Sequence, residues 1–268
     1  MSFERTPLDK TYRPLVRGWE SMLELIKAFG IIPFFENPIA GFSVEEHTPG
    51  QFWFTDECLG PWDWKIECVQ SGEIAYGKFL WGGKAAFATV EIYRELMNYR
   101  RSLSKCAAGA QRQADGSKNL SVGRSLHRSS HDFGPQQQAV MEYVHEHGSI
   151  TIPEVRKLLD VKKSAADSLI AGLQWQTRLV TGDIKRVYHG EDLHYSGWQR
   201  ASFCTPEGLF DDDDFRSFFA AQPAATVGAN SSSFASSLTP AESLLFVKDC
   251  IRSHCGDIPE NIFKRLLG

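Results

Sequence analysis

The chain has 268 residues, with 29 Lys and Arg against 33 Asp and Glu, a formal net charge of −4 and a pI of about 6.1. That balance excludes a polybasic nucleic-acid binder, so any contact with nucleic acid has to be local. Hydrophobic residues at 42% and charged residues at 23% are ordinary for a globular chain, and at roughly 100–200 residues per domain the length suits two domains.

No apolar run approaches the roughly 20 residues of a membrane span, and the polar start Met1 to Lys10 lacks the apolar core of a signal peptide. The expectation is a cytoplasmic protein with no membrane partner. The six cysteines show no Cys-x-x-Cys spacing, which predicts neither a disulfide framework nor a zinc site. No metal and no cofactor are expected.

In chain order, Leu15, Trp19, Met22, Leu23, Ile26 and Phe29 recur at helical spacing after Pro14, with Gly30 as a stop. Short irregular pieces follow, then a helix over Pro61 to Val69. The run Ile74 to Thr89 is aromatic and β-branched and is broken by Gly82-Gly83, which predicts a hairpin. Thr89 is placed to cap a helix with Val90, Tyr93 and Met97 on one face, ending at Asn98-Tyr99-Arg100-Arg101.

The bridge from Arg101 to Ser130 has six Lys and Arg against Asp115 alone and no large apolar cluster, so it reads as a flexible basic loop. After it, Val140, Tyr143, Val144 and His147 define a helix ending at Gly148. Thr151-Ile152-Pro153-Glu154 has the capping-box spacing for a second helix, and Ser164-Ala165-Ala166-Asp167 repeats the start signal for a third. Two strand-like segments follow, Arg178 to Asp183 and Trp198 to Thr205, able to pair as a hairpin. Three helices and a hairpin are the order of a winged helix. Asp211 to Ser237 reads as an acidic and Ser/Ala-rich linker. Two capping boxes, Thr239 to Glu242 and Asp257 to Glu260, predict tail helices that dock on a domain.

The expected fold class is therefore α+β: an aromatic-rich N-terminal α+β domain (1–103), a flexible basic linker (104–133), a winged-helix domain (134–210), an acidic linker (211–238) and a C-terminal helical tail (239–268).

Three strings, Pro61-Trp62-Asp63-Trp64-Lys65, Tyr76-Gly77-Lys78-Phe79 and Asn98-Tyr99-Arg100-Arg101, resemble in order and spacing the first half of the AlkZ-related winged-helix proteins. Trp198 to Leu209 is similar to that family's wing strand. The resemblance spans roughly residues 10 to 105 and 134 to 210. It implies DNA binding and a connection to DNA repair, because the family includes DNA glycosylases acting on alkylated and crosslinked DNA. Those glycosylases share a Gln-x-Gln or Gln-x-Asp element near their N-terminal winged helix, and the first region has no such string. Gln174-Trp175-Gln176 carries the letters at the end of the third helix of the later unit, the wrong place in the family's order, and is read as coincidence.

A winged helix offers its third helix to the major groove and its wing to the backbone. The expected nucleic-acid contacts are Lys162, Lys163, Asp167, Ala171 and Gln174, then Arg178, Lys185, Arg186 and Arg200. The whole region from Pro135 to Leu209 holds eight Lys and Arg against nine Asp and Glu, so these gain from counterion release only where they cluster. For chemistry, Asp63 and Glu67 are the candidate carboxylates for N-glycosidic cleavage, with Trp62 and Trp64 stacking on an extruded base and Lys78 as a phosphate contact. Trp62 and Trp64 lie on different helix faces, so a structural role for the tryptophans competes with that one. The expected partner is double-stranded DNA. The alternative is a non-enzymatic, regulatory winged helix that binds a protein partner or a second copy of itself.

Overall fold

A computed structural model of the chain describes residues 15–53, 58–114, 134–189, 194–210 and 234–268. Most of the basic bridge and of the acidic linker lies outside these residues.

The first unit begins with α1 (Trp19–Phe29). It starts later than the sequence periodicity suggests, because Gly18 takes the cap position and accepts from Ser21 Oγ at 2.9 Å through its carbonyl. Leu15 stays outside the helix and is exposed. A short strand β1 (Ile31–Pro33), a four-residue turn of helix α2 (Val44–His47) and α3 (Pro61–Gln70) follow, then the hairpin β2 (Ile74–Leu80) and β3 (Lys84–Thr89). Trp81, Gly82 and Gly83 take φ of 50°, 68° and 107° at its turn, a left-handed run that two glycines make accessible. β1 completes an antiparallel sheet in the order β1-β3-β2. The sequence shows no periodicity over Ile31–Pro33 because all three residues are buried, and a fully buried strand does not alternate.

Helix α4 (Val90–Ala114) runs well past Arg101. Ala107, Ala108 and Ala110, followed by Gln111, Arg112 and Gln113, are good helix formers and no proline stops them.

The second unit runs α5 (Pro135–His147), β4 (Ile150–Thr151), α6 (Ile152–Leu159), α7 (Lys163–Trp175), β5 (Val180–His189), β6 (His194–Cys204) and the short α8 (Pro206–Phe210). The Thr151 box forms as expected, with Glu154 Oε2 accepting from the Thr151 N–H at 2.7 Å. The Ser164 box does not form: α7 starts two residues earlier than that box places it, with Lys162 at its cap and no capping side chain. β5 and β6 are longer than the sequence segments, and the ladder reaches His189 opposite His194. β4 adds the outer strand, in the order β4-β6-β5.

Helices α9 (Pro240–Cys255) and α10 (Glu260–Leu267) close the chain. Thr239 caps α9 through its hydroxyl, which accepts from the Glu242 N–H at 3.3 Å. The predicted Asp257 box gives way to Pro259 at the cap of α10.

Two cores result. One joins α1, α3, the first sheet and α4 to Val247, Ile251, Ile262, Phe263 and Leu266 of the tail helices, and also takes in Val180, Ile184 and Cys204 from the second hairpin. The other is internal to the second unit, around Val140, Val144, Val155, Ile170, Leu173 and Leu179. The tail is thus part of the first unit, as its amphipathic helices require.

The string Asn98 to Arg101 explains how the pieces are tied. The Asn98 amide donates to Leu238 O and Ser243 Oγ, each at 2.8 Å, and Tyr99 Oη donates to Gly268 O at 3.2 Å. Arg100, only 6% exposed, donates to Leu267 O at 2.8 and 2.9 Å and to Trp175 O at 2.9 Å. A cation there answers unpaired carbonyls at the C-terminal ends of both α10 and α7. Burial lowers its pKa to about 9, which leaves it charged at neutral pH. Arg101 pairs with Glu207 of α8 and donates to Thr177 O at 2.7 Å.

Candidate functional site

Helix α3 presents two faces to the rest of the protein. Trp64, Ile66, Cys68 and Val69 point into the first core. Asp63 and Glu67 are four residues apart and therefore share the other face, where the second hairpin lies against them.

Arg186 of β5 reaches both carboxylates, donating to Glu67 Oε1 at 2.6 Å and standing 3.7 Å from Asp63 Oδ1. Tyr195 Oη donates to the same Asp63 oxygen at 2.7 Å. Gln199 of β6 donates to Trp62 O at 2.8 Å, and Gln70 donates to Asp183 Oδ1 and Ile184 O at 3.1 Å each. Asp63, Glu67 and Gln70 thus recur along one edge of α3 as a seam between the two units. The sequence reading put Asp63 and Glu67 at the chemistry and Arg186 on nucleic acid; the structure spends all three on one another.

The tryptophans divide as their spacing demands. Trp64 is 5% exposed and packs on Phe52 with ring centroids 5.3 Å apart, so it has no free face for a base. Trp62 is half open and belongs to an aromatic cluster with Phe34, Phe35 and Trp53.

Helix α7 packs its C-terminal half on β2. Gln174 is 2% exposed; its Oε1 accepts from the Lys78 N–H at 3.2 Å and its Nε2 donates to Thr181 Oγ1 at 3.1 Å. A Cβ at Gly77 would stand 2.9 Å from that Nε2, which is why the Tyr76-Gly77-Lys78-Phe79 string needs its glycine. Gln174 is therefore an internal fastener and does not face a groove. Arg178 is half-buried, and burial followed by the neighbouring Arg101 lowers its pKa.

Between α3, β2, α7 and the second hairpin lies a chamber of about 210 Å³ lined in part by Lys65, Tyr76, Lys78, Asp167, Gln174 and Gln199. Lys65 is the residue that sequence reasoning missed. It is 8% exposed, and its Nζ sits over the Trp62 ring, 4.7 Å from the centroid. Burial, only partly offset by Asp63, lowers its pKa from 10.5 to about 8. A lysine four residues after a helix-starting proline gives no such signal in sequence, since its burial depends on the second unit. Gln199 Oε1 and Glu67 Oε2 are also buried and lack hydrogen-bond partners among the described residues.

The chamber shares Ile152, Asp167, Gln199 and Ala201 with an outer groove of about 800 Å³ that adds Arg156, Lys163, Trp198 and Arg200. The strand period of two sorts the hairpin: Arg186 and Gln199, paired in register, face α3, while Lys185 and its partner Arg200 face outward with Trp198. Trp198 is 64% exposed. Lys162 is exposed at the cap of α7, beside Lys163. Of the expected contacts, Lys162, Lys163, Lys185 and Arg200 are on this surface.

Among the described residues no group of three or more His, Cys, Asp or Glu is placed to hold a metal ion, and no helix is long and apolar enough to cross a membrane. The thiols of buried Cys68 and Cys204 and of partly buried Cys255 are pushed up to about 12, chiefly by desolvation, the opposite of a reactive cysteine.

No curated protein and no solved structure matches the chain. The family described as AlkZ related matches residues 16–268, which covers both units and the tail helices. The chain therefore belongs to the AlkZ-related family, which suggests a protein related to DNA repair.

Proposed function

We propose that the protein binds double-stranded DNA along the outer groove and serves in the recognition of damaged DNA. In this reading residues 134–210 form a winged helix with the β5–β6 hairpin as its wing. Its third helix, α7, is docked on the first unit along its C-terminal half, so only its N-terminal end, with Lys162 and Lys163, is left to meet the duplex.

The observation that carries the reading is the grouping of Arg156, Lys163 and Arg200 around one groove with an exposed Trp198. Cations supply the sequence-independent attraction to phosphates, and an indole supplies a stacking face for an unpaired base. Local clustering is what a chain of net charge −4 needs. Family membership supports the connection to repair. Asp63 and Glu67, whose carboxylates are occupied by Arg186 and Tyr195, are positioning residues here.

The test is fluorescence anisotropy with an undamaged duplex and an abasic-analogue duplex at two salt concentrations. Affinity should fall with salt, and replacing Arg156, Lys163 and Arg200 together by Ala should weaken binding to both duplexes and flatten the logarithmic salt slope by about 1 per lost phosphate contact. Absence of binding at both salt concentrations overturns the reading. The same exposed Trp198, with Tyr188 at 53% exposed, would then favour the alternative of a protein partner.

A further inference from the structure

The chamber behind the groove contains a nucleophile that DNA binding alone does not use. Lys65 Nζ makes no hydrogen bond or ion pair among the described residues; it sits over the Trp62 ring and feels the charge of Asp63. The cavity that Lys65 helps to line is smaller than the roughly 300–1,000 Å³ of a typical small-molecule pocket. It has room for a sugar-sized fragment entering from the groove, and Asp167 lines both spaces.

We propose that Lys65 is the nucleophile of an abasic-site lyase activity, forming an imine with the aldehyde of a ring-opened abasic deoxyribose admitted from the outer groove. The inference rests on the DNA-binding reading above and extends it to a substrate and a reaction. The neutral Nζ attacks the C1′ carbonyl carbon. The carbonyl oxygen leaves as water, taking up one proton from the medium and one from the amine, and a protonated imine remains. The Asp167 carboxylate accepts a proton from C2′; that electron pair forms the C2′–C3′ double bond and the C3′–O bond breaks, releasing the 3′ phosphate as leaving group. Water then hydrolyses the imine, which returns the amine and frees the unsaturated aldehyde.

The electrostatics agree with the geometry. An amine with a pKa of about 8 is neutral in a useful fraction at neutral pH, whereas an exposed lysine is protonated almost completely. Imine formation should therefore rise with pH and level off above about 8.

The experiment is borohydride trapping of the full-length protein with a duplex carrying one natural abasic site, alongside anisotropy on the same duplex. The expected result is a covalent protein–DNA adduct that peptide mapping places on Lys65. Lys65→Met, which keeps the apolar stem, and Lys65→Arg, which keeps the cation over Trp62, should each bind the duplex yet lose the adduct at least tenfold. Lys27→Met, on α1 and outside both the chamber and the groove, should retain the adduct, and Asp167→Asn should retain trapping with slower strand scission. Binding without an adduct, or an adduct mapped to any other lysine, overturns the lyase and leaves the DNA reading standing. Failure to bind any duplex overturns both.

Discussion

The two three-stranded sheets share a plan and differ in what they do with it. Each is an antiparallel hairpin with a short third strand beside its second member, β1-β3-β2 in one and β4-β6-β5 in the other. The first is consumed by the core: Ile74, Ala75, Phe79, Leu80, Ala86, Phe87 and Ala88 are all buried. The second keeps only its base in the cores, at Val180, Ile184, Phe203 and Cys204. Its outer half carries Arg186 and Gln199 on the face toward α3, and Lys185, Trp198 and Arg200 on the other. A hairpin is a scaffold for stability where both faces find apolar partners, and the second hairpin leaves one face polar and open.

The sharpest way to break this contrast is Phe87→Ala. Phe87 is fully buried and stacks on Tyr76 with centroids 4.7 Å apart, so the change should cost about 3–5 kcal/mol in a denaturant titration. An effect below about 1 kcal/mol would mean that the first sheet is not the core it looks to be.

Lys65, at the contact between the two regions, should reveal itself through pH. Its pKa is about 8 in the folded chain and near 10.5 when unfolded. The unfolded state therefore binds more protons between these values, and stability rises with pH across that window. Lys65→Met removes the dependence. The variant should gain on the order of 3 kcal/mol over the wild type below pH 8, an advantage that shrinks as pH climbs towards 10.5. Parallel stability curves for the two proteins over pH 7 to 10.5 would overturn the burial argument.

A smaller effect is expected at the seam. Arg186→Ala leaves Glu67 and Asp63 without their cation, but Arg186 and Glu67 both retain some solvent contact, so the cost should be about 1 kcal/mol by thermal unfolding. Hydrogen exchange in β5 and β6 should rise more than in β2 and β3. Trp198→Ala is the smallest in stability, within about 0.5 kcal/mol. If the groove binds DNA, the same change should lower affinity for single-stranded or abasic DNA by about 1–3 kcal/mol.

Much of the element order was legible. Gly82-Gly83 announces the first hairpin, the Thr151 and Thr239 boxes announce α6 and α9, and the apolar spacings announce α1, α4 and α5. Exposure was legible for Lys162, Lys163, Lys185 and Arg200 and not for residues that distant elements cover. Gln174 carries a polar amide and was expected in a groove, yet two backbone and side-chain partners from other elements bury it. Asp63 and Glu67 are the candidate carboxylates in the sequence, and their contact with Arg186, 119 residues beyond Glu67, is invisible to local spacing. Asn98-Tyr99-Arg100-Arg101 was recognisable as a string, but its work of joining α4 to the tail, α7 and α8 was not.

By itself, then, the sequence determined periodicity, caps and turns, because these depend on neighbours within about four residues. It also determined the family, through strings whose spacing survives without knowledge of their contacts. Only the tertiary structure decided which polar groups are fasteners and which are free. Burial of Lys65 and Gln174, the seam at Arg186 and the open face of Trp198 all arise from contacts between units far apart in the chain, and those contacts set the desolvation and hydrogen bonding that give each side chain its chemistry.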